Sequence, residues 1–263
     1  MIPQKLAISA AVKAGKLIKK SLGTLSGQSI ENKNPFDFVT IIDKQAEQLI
    51  IDLIQKYFPD HEIFAEESGS TPQKNTSRWI IDPLDGTTNF IHGFPHSAVS
   101  IAYEYNGELV LGVVFDPFRD ELFYAEKGKG AFLNNRPIHV SNRSKLNECL
   151  IATGFPFRNK NLLAPYWQAL SNIFLAVCGI RRTGSAALDL AYTACGRFYG
   201  FWELKLSPWD VAAGAVLLHE AGGKITDFEL KNNHLNTGNV IASNGLIHEF
   251  LFQKIHEAFP KNP

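Results

Sequence analysis

The chain has few cysteines, no excess charge of either sign and no long uninterrupted apolar run. Its three cysteines, Cys149, Cys178 and Cys195, form no C-x-x-C pair. We expect them to be reduced thiols in a cytoplasm, buried as small hydrophobic side chains. Lysine plus arginine equals aspartate plus glutamate, at 26 each, which gives no global electrostatic case for binding nucleic acid or a membrane. Two lysines interrupt the apolar segment that begins at residue 6, which therefore predicts an amphipathic helix rather than a secretory signal or a membrane span.

The motifs of several enzyme classes are also missing. There is no G-x-x-x-x-G-K-[ST] phosphate loop and no H-E-x-x-H zinc motif, and the eight histidines show no metal-ligand spacing. Gly128-Lys129-Gly130 does not continue as a dinucleotide fingerprint. Ser68 has no glycine two residues before it, so it is not a nucleophile elbow.

What the chain does contain is an apolar run that stops at an acid, in residues 79–90 (WIIDPLDGTTNF). The run predicts a buried strand end, and Pro83 predicts a turn there because its ring fixes φ and removes a donor. Asp82 and Asp85 would then lie close together, where two carboxylates repel unless a divalent cation such as Mg²⁺ joins them. Residues 86–88 (GTT) predict an anion site at a helix start. Metal and anion side by side indicate phosphate chemistry.

Four other acids are candidates to join this pair, and each has a structural alternative. Glu66 and Glu67 follow a strand-like run, and Glu67 alone is typical of a solvated surface acid. Asp43 alone is typical of an N-cap, and Ser207 with Asp210 fits a capping box with proline at the first helical position. Asp82 and Asp85 alone also fit a turn with side-chain-to-backbone hydrogen bonds. Their D-x-x-D spacing argues against a covalent aspartyl phosphate, because that chemistry needs a D-x-D spacing. The case for a site rests on the combination.

The hydrophobic pattern predicts an α/β protein of ordinary globular composition, with 45% hydrophobic and 20% charged residues among 263. The first part has helices over 3–22 and 43–57 followed by a β-meander, an α+β arrangement. The second part alternates strands and helices, an α/β arrangement. The polar segment 137–147 is the candidate seam, which gives two halves of one compact unit, 1–140 and 141–263. Residues 70–78 predict a polar loop.

At this point the sequence resembles the inositol monophosphatases, within the lithium-sensitive sugar-phosphatase superfamily. Residues 82–90 (DPLDGTTNF) match the first family motif, and residues 209–214 (WDVAAG) leading to 220–223 (EAGG) match the second. Residues 66–68 (EES) and 37–43 (DFVTIID) match as well, and residues 181–190 (RRTGSAALDL) point to the bacterial branch.

The resemblance implies an α-β-α-β-α fold, a cytoplasmic homodimer and the Mg²⁺-dependent hydrolysis of myo-inositol monophosphate by an activated water, with Li⁺ as an inhibitor. Its implied metal ligands are Glu66, Asp82, the Leu84 carbonyl, Asp85 and Asp210. Its implied catalytic residues are Asp43 and Thr87, which orient the water, and Glu66, which helps to hold it. The implied phosphate and polyol contacts are Gly86, Thr87, Thr88, Gly184, Ser185, Ala186 and Glu203. Lys33 is expected on a mobile metal-binding loop, and Arg181 is expected to face either the substrate or the dimer partner.

Two other functions stay open at this stage. Relatives that share the metal site act on fructose 1,6-bisphosphate, nucleotide 3′-phosphates or histidinol phosphate, although the short loop at 70–78 favours a small polyol over a nucleotide. Bacterial relatives also resemble protein partners of transcription and RNA-processing complexes. The neutral net charge does not favour direct contact with RNA.

Overall fold

Two amphipathic helices open the chain in the computed structural model, which describes residues 2–24, 30–34, 37–72, 75–157 and 159–263. Helix α1 (Pro3–Ser21) buries Leu6, Ala10 and Ala14 among others, on the face that its apolar spacing predicts. Helix α2 (Ile41–Tyr57) begins with a capping box in which Thr40 is the N-cap. The structural alternative for Asp43, that it is the N-cap, does not hold, because Asp43 occupies the third helical position and accepts from the Thr40 backbone N–H at 2.9 Å.

The first sheet has eight strands in the order β10-β9-β8-β7-β6-β5-β3-β4. Its strands are β3 (Glu62–Ala65), β4 (Gly69–Ser70), β5 (Ser77–Asp85), β6 (Ala98–Tyr105), β7 (Glu108–Asp116), β8 (Glu121–Glu126), β9 (Ala131–Leu133) and β10 (Arg136–Ile138). All neighbours are antiparallel except β3 and β5. A separate hairpin of β1 (Ile30–Asn34) and β2 (Asp37–Thr40) precedes α2, and the short helix α3 (Thr87–Ile91) follows β5.

The second sheet has five strands in the order β12-β11-β13-β15-β14. Its strands are β11 (Leu150–Thr153), β12 (Gly179–Arg181), β13 (Gly200–Glu203), β14 (Lys224–Thr226) and β15 (Val240–Ser243). The helices of this part are α4 (Leu163–Phe174), α5 (Ala186–Ala194), α6 (Pro208–Glu220), α7 (His234–Thr237) and α8 (His248–His256). The two helices expected over 3–22 and 43–57 agree with the observed bounds of α1 and α2 to within two residues, but the β1–β2 hairpin and α7 carry too few apolar residues to show in the pattern.

Successive strand residues point to opposite faces, and this alternation builds five layers. On β5, Ile81 packs with α1 and α2, whereas Ile80 packs with α5 and α6. On β13, Phe201 packs against the same middle helices, whereas Trp202 packs on the outer side with residues of α4 and α8. Each fully buried isoleucine contributes about 1.5–3 kcal/mol to folding. The predicted α-β-α-β-α fold is confirmed.

The middle helices approach the first sheet closely because small residues face each other. A Cβ on Gly112 of β7 would lie 2.3 Å from the carbonyl oxygen of Ala213 on α6, so only glycine fits there. The first sheet ends at Ile138 and the second begins at Leu150, and the division into halves at residue 140 stays a prediction.

Three further expectations differ from the structure. Residues 77–78 belong to β5 and residues 69–70 form β4, so the polar loop expected over 70–78 is shorter. The expected burial is right for Cys149 but wrong for Cys178, which is exposed, and Cys195 is half-buried. In the described part of the chain, no helix combines the length and the apolar character needed to cross a membrane.

Candidate active site

The turn expected at Pro83 is instead a bulge within a continuous strand. On β5, Asp82 pairs with Ser100 and Asp85 pairs with Ala98, so three steps along β5 oppose two along β6. In a regular strand, residues three apart face opposite sides of the sheet. The extra residue of the bulge brings Asp82 and Asp85 back to the same side of the sheet. Pro83 has no backbone N–H, and it is tolerated because a residue in a bulge need not donate a hydrogen bond to the neighbouring strand. The bulge therefore turns both aspartates toward one cavity.

Helix α6 brings the third carboxylate. The predicted capping box at its start is confirmed, since Asp210 accepts from the Ser207 backbone N–H at 2.7 Å. Ser100, the β6 residue opposite Asp82, donates to the Trp209 carbonyl oxygen at 3.1 Å and fixes the helix end beside β5. Carboxylate oxygens of Asp82, Asp85 and Asp210 lie within 4.8 Å of one another.

Glu66 reaches the same cluster from the turn between β3 and β4. Its backbone N–H donates to the Ile81 carbonyl oxygen at 3.1 Å, one residue before Asp82. Its carboxyl hydrogen-bonds the Asp82 carboxyl, and this contact helps to raise the pKa of Asp82. Four acids from three separate segments thus converge in one cavity.

The electrostatics of this cluster favour the binding of a cation. Burial, and then the neighbouring carboxylates, raise the pKa values of Asp82 and Asp210 well above their ordinary range. Burial also raises the pKa of Asp85 to about 6, against hydrogen bonds from Ser185 and Ala187 that lower it. Such a set of closely spaced oxygen ligands fits Mg²⁺, which prefers carboxylates and retains waters. The Leu84 carbonyl lines the same cavity with these acids.

Next to the cluster, Thr87 and Asp43 form a hydrogen-bonded pair. The Thr87 hydroxyl donates to Asp43 Oδ1 at 2.8 Å and lies 3.0 Å from the Leu84 carbonyl oxygen. Burial raises the pKa of Asp43 to about 6, although its bonds with Thr40 and Thr87 lower it. At neutral pH the Asp43 carboxyl is therefore mostly ionised.

Gly86 shapes the corner between β5 and α3. It is the N-cap of α3 with φ of 93°, a conformation that favours glycine. A Cβ there would also lie 3.0 Å from the His96 carbonyl oxygen and 3.1 Å from that of Gly184. The close approach brings the 184–186 segment to the 86–88 segment, and both line the cavity.

The expected polyol residues line the same cavity as the acidic cluster. Ser185 is the N-cap of α5: its hydroxyl donates to Asp85 Oδ2 at 2.5 Å and accepts from the Leu188 backbone N–H at 3.4 Å. Glu203 packs over Gly154, where a Cβ would lie 1.8 Å from Glu203 Oε1. Gly184, Ala186 and Thr88 line the cavity as well.

Two expected residues remain, Arg181 and Lys33. Arg181 is exposed, donates to the Ile180 carbonyl oxygen at 3.1 Å and does not line the cavity. The backbone of Lys33 lies in β1, and its side chain falls outside the described residues.

Arg182, which the sequence pattern does not single out, lines the cavity. Its guanidinium lies 5.6 Å from the ring centroid of Phe155 and 4.9 Å from that of Phe157. Stacking on aromatic faces leaves the N–H edge of a guanidinium free to donate. The signal in the sequence is a pair of adjacent arginines in residues 181–184 (RRTG), and the fold decides which of them faces the cavity.

Comparisons with known proteins agree with this geometry. The model of the inositol monophosphatase family matches residues 4–260. A protein named Nus factor SuhB, from Escherichia coli strain K12, is 48% identical over 240 residues, which cover 91% of this chain and 90% of that protein. An inositol-1-monophosphatase from Mesorhizobium japonicum is 42% identical over 249 residues, 94% of each chain.

Among solved structures, the extragenic suppressor protein suhB from Bartonella henselae superposes with a TM-score of 0.93 at 43% identity, over 95% of this chain and 97% of that one. The family model spans nearly the whole chain, including every segment that builds the acidic cavity, and these relatives cover 91–95% of the chain. The chain belongs to the inositol monophosphatase family.

Proposed function

We propose that this protein hydrolyses myo-inositol monophosphate to inositol and phosphate in a Mg²⁺-dependent reaction. The observation that carries the proposal is the convergence of Asp82, Asp85 and Asp210, with carboxylate oxygens within 4.8 Å, beside the Thr87–Asp43 pair. Membership of a family of phosphatases supports the reaction class. The inositol-1-monophosphatase relative supports the substrate.

Five groups would hold the metal: the carboxylates of Glu66, Asp82, Asp85 and Asp210 and the carbonyl of Leu84. Bound there, Mg²⁺ supplies positive charge at the phosphoryl oxygens and makes a nearby water more acidic. The protein's own residues then have little covalent work, and their positions and charges dominate catalysis.

Three further functions fall to residues in the cavity and beside it. Thr87 and Asp43 orient the attacking water and take up its proton, and Glu66 helps to hold that water. Residues 86–88 hold the phosphate through backbone N–H groups and hydroxyls. Glu203 accepts hydrogen bonds from polyol hydroxyls, and the segment 184–186 borders the same ring.

A phosphate-release screen across polyol, sugar and nucleotide monophosphates with Mg²⁺ tests this proposal. We expect inositol monophosphate to be hydrolysed with the highest kcat/KM, and Asp210→Asn to be inactive on every substrate. The proposal fails if Mg²⁺ produces no release from any polyol phosphate. It also fails if a nucleotide is preferred.

Arg182 supports a second candidate substrate, fructose 1,6-bisphosphate. A guanidinium in a cavity otherwise dominated by carboxylates favours a substrate whose alcohol carries another anionic group. If this substrate is the physiological one, Arg182→Ala lowers kcat/KM for the bisphosphate and leaves inositol monophosphate hydrolysis largely unchanged. Equal losses on both substrates would place Arg182 against the scissile phosphate instead.

We also propose that the protein forms a homodimer in the cytoplasm. Trp167, Phe174 and Leu175 are exposed apolar side chains on and just after α4, and Leu175 is 81% exposed. Exposed apolar surface of this kind marks contact sites. Leu175→Asp should give a monomer by light scattering, whereas Leu246→Asp, at another exposed apolar position, should not.

A protein-binding role in transcription is a candidate from another class, and the relatives named Nus factors support it. A pull-down with the inactive Asp210→Asn variant separates the two roles. Recovery of transcription proteins by both the wild type and this variant would show that binding does not need catalysis. Recovery by neither would remove this candidate.

A further inference from the structure

Glu47 is a buried carboxylate that belongs to none of the family motifs identified in the sequence. It lies on α2 and is only 3% exposed. Both of its oxygens accept backbone hydrogen bonds, from the N–H of Glu67 to Oε2 at 2.8 Å and from the N–H of Ser68 to Oε1 at 2.9 Å. Burying a carboxylate is costly unless such bonds compensate for the lost water.

The two amide groups belong to the turn that carries Glu66. Strands β3 and β4 pair at Ala65 and Gly69, so residues 66–68 form a tight connection between them. One side of this turn is fixed by the bond from the Glu66 N–H to the Ile81 carbonyl oxygen on β5. The bonds to Glu47 fix its other side. Glu66 is thus held between the first sheet and α2.

The same helix holds a second part of the site. Asp43 precedes Glu47 by four residues, and residues four apart lie on one face of a helix. Asp43 accepts from the Thr87 hydroxyl, whereas Glu47 accepts from the turn that follows Glu66. The face of α2 therefore sets the distance between the Thr87 hydroxyl and the Glu66 carboxyl.

We propose that Glu47 is a positioning residue, which aims the Glu66 carboxyl at Asp82 by clamping the backbone of residues 67–68. The inference rests on the proposed function, since Glu66 matters as a ligand and water-holding group of that reaction. Groups that orient metal ligands without touching the metal typically change metal affinity or activity about 10- to 100-fold when they are mutated.

The test is a Mg²⁺ titration of phosphate release by Glu47→Gln and by the control Asp52→Asn. Glutamine replaces one acceptor oxygen with an amide NH₂ group. This donor would face a backbone N–H, which is also a donor, so one of the two hydrogen bonds is lost. Asp52 is an exposed carboxylate on the same helix that accepts from Gln48, and its variant removes the same charge. We expect the Mg²⁺ concentration for half activation to rise about 10-fold or more in Glu47→Gln. We expect the control and the KM for the phosphate ester to stay within twofold of the wild type.

A merely structural role has a different signature. It would lower the melting temperature in chelator while leaving the half-activating Mg²⁺ concentration unchanged, and that result overturns the inference. An inactive wild type would contradict the proposed function, whereas an active wild type with an insensitive Glu47→Gln contradicts only the role of Glu47.

Hydrogen exchange in the unmodified protein keeps the inference testable if Glu47→Gln does not fold. The amides of Glu67 and Ser68 should exchange much more slowly than those of the other exposed turns, because a buried carboxylate accepts from both. Exchange as fast as in exposed turns would show that the clamp does not exist.

Discussion

Replacing Asp85 with asparagine should stabilise the metal-free protein while removing its response to Mg²⁺. Asp85 Oδ2 accepts from the Ser185 hydroxyl at 2.5 Å and from the Ala187 backbone N–H at 2.8 Å. An asparagine oxygen in the same place accepts both bonds. The variant therefore keeps the local contacts and removes a charge that its surroundings disfavour.

The magnitude follows from the pKa. Burial raises the pKa of Asp85 from 3.8 to about 6, so folding disfavours the ionised form by about 3 kcal/mol at 1.36 kcal/mol for each pH unit. That sets the upper limit of the gain in the free energy of unfolding above pH 6, or roughly 6–12 °C in melting temperature for a chain of this size.

The pH dependence of the gain has a definite sign. Because the folded pKa is raised, the folded state holds the Asp85 proton more tightly, and the wild type loses this stabilisation as pH rises from 3.8 to about 6. The advantage of Asp85→Asn should therefore be absent at pH 3.8 and below and complete above pH 6. Comparing variant with wild type at each pH cancels the opposite contribution of buried histidines such as His96, whose pKa is lowered to about 4.

Urea unfolding in chelator and in excess Mg²⁺, between pH 4 and 7.5, measures both effects. In Mg²⁺ the wild type should gain stability by mass action and the variant should gain little. The reasoning is refuted if Asp85→Asn is no more stable than the wild type in chelator at pH 7.5. It is also refuted if Mg²⁺ stabilises the two proteins equally.

Three further predictions concern catalysis. Glu203→Gln should impair hydrolysis of the polyol phosphate more than that of a small aryl phosphate, because one charged hydrogen bond worth about 1.5–3 kcal/mol is lost only with the polyol; equal losses would place Glu203 elsewhere in the mechanism. Ca²⁺ should replace Mg²⁺ poorly because the compact all-oxygen cluster suits a small hard cation, so comparable kcat values with the two metals would contradict the assignment. Li⁺ should inhibit in competition with Mg²⁺ rather than with substrate, and full activity at high millimolar Li⁺ and low Mg²⁺ would exclude this.

The sequence predicts the elements of this fold well wherever one local signal decides. The helical start at Pro208, with Ser207 and Asp210 as a capping box, is readable because all of its parts lie within four residues. The apolar faces of α1 and α2 are readable for the same reason. Asp82 and Asp85 are recognisable as a pair, and the structure places both in the acidic cavity.

What the sequence does not reveal depends on pairing over long distances. Pro83 permits a turn or a bulge, and only the register of β5 against β6 selects the bulge. Arg181 and Arg182 are equivalent in the pattern until the fold turns one of them into the cavity. Glu47 accepts from backbone amides that lie about 20 residues along the chain. Every residue except proline has a backbone amide, so the sequence does not reveal these partners.

The most direct test of the central claim is phosphate release from myo-inositol 1-phosphate by the wild type and by Asp210→Asn over a full Mg²⁺ titration. The asparagine keeps an acceptor for the Ser207 N–H, so the start of α6 remains capped while a ligand charge is lost. The account predicts turnover that is absent in chelator, rises with Mg²⁺ in the wild type and stays absent in the folded variant. Near-wild-type kcat in Asp210→Asn, or undiminished turnover after thorough chelation, would contradict it.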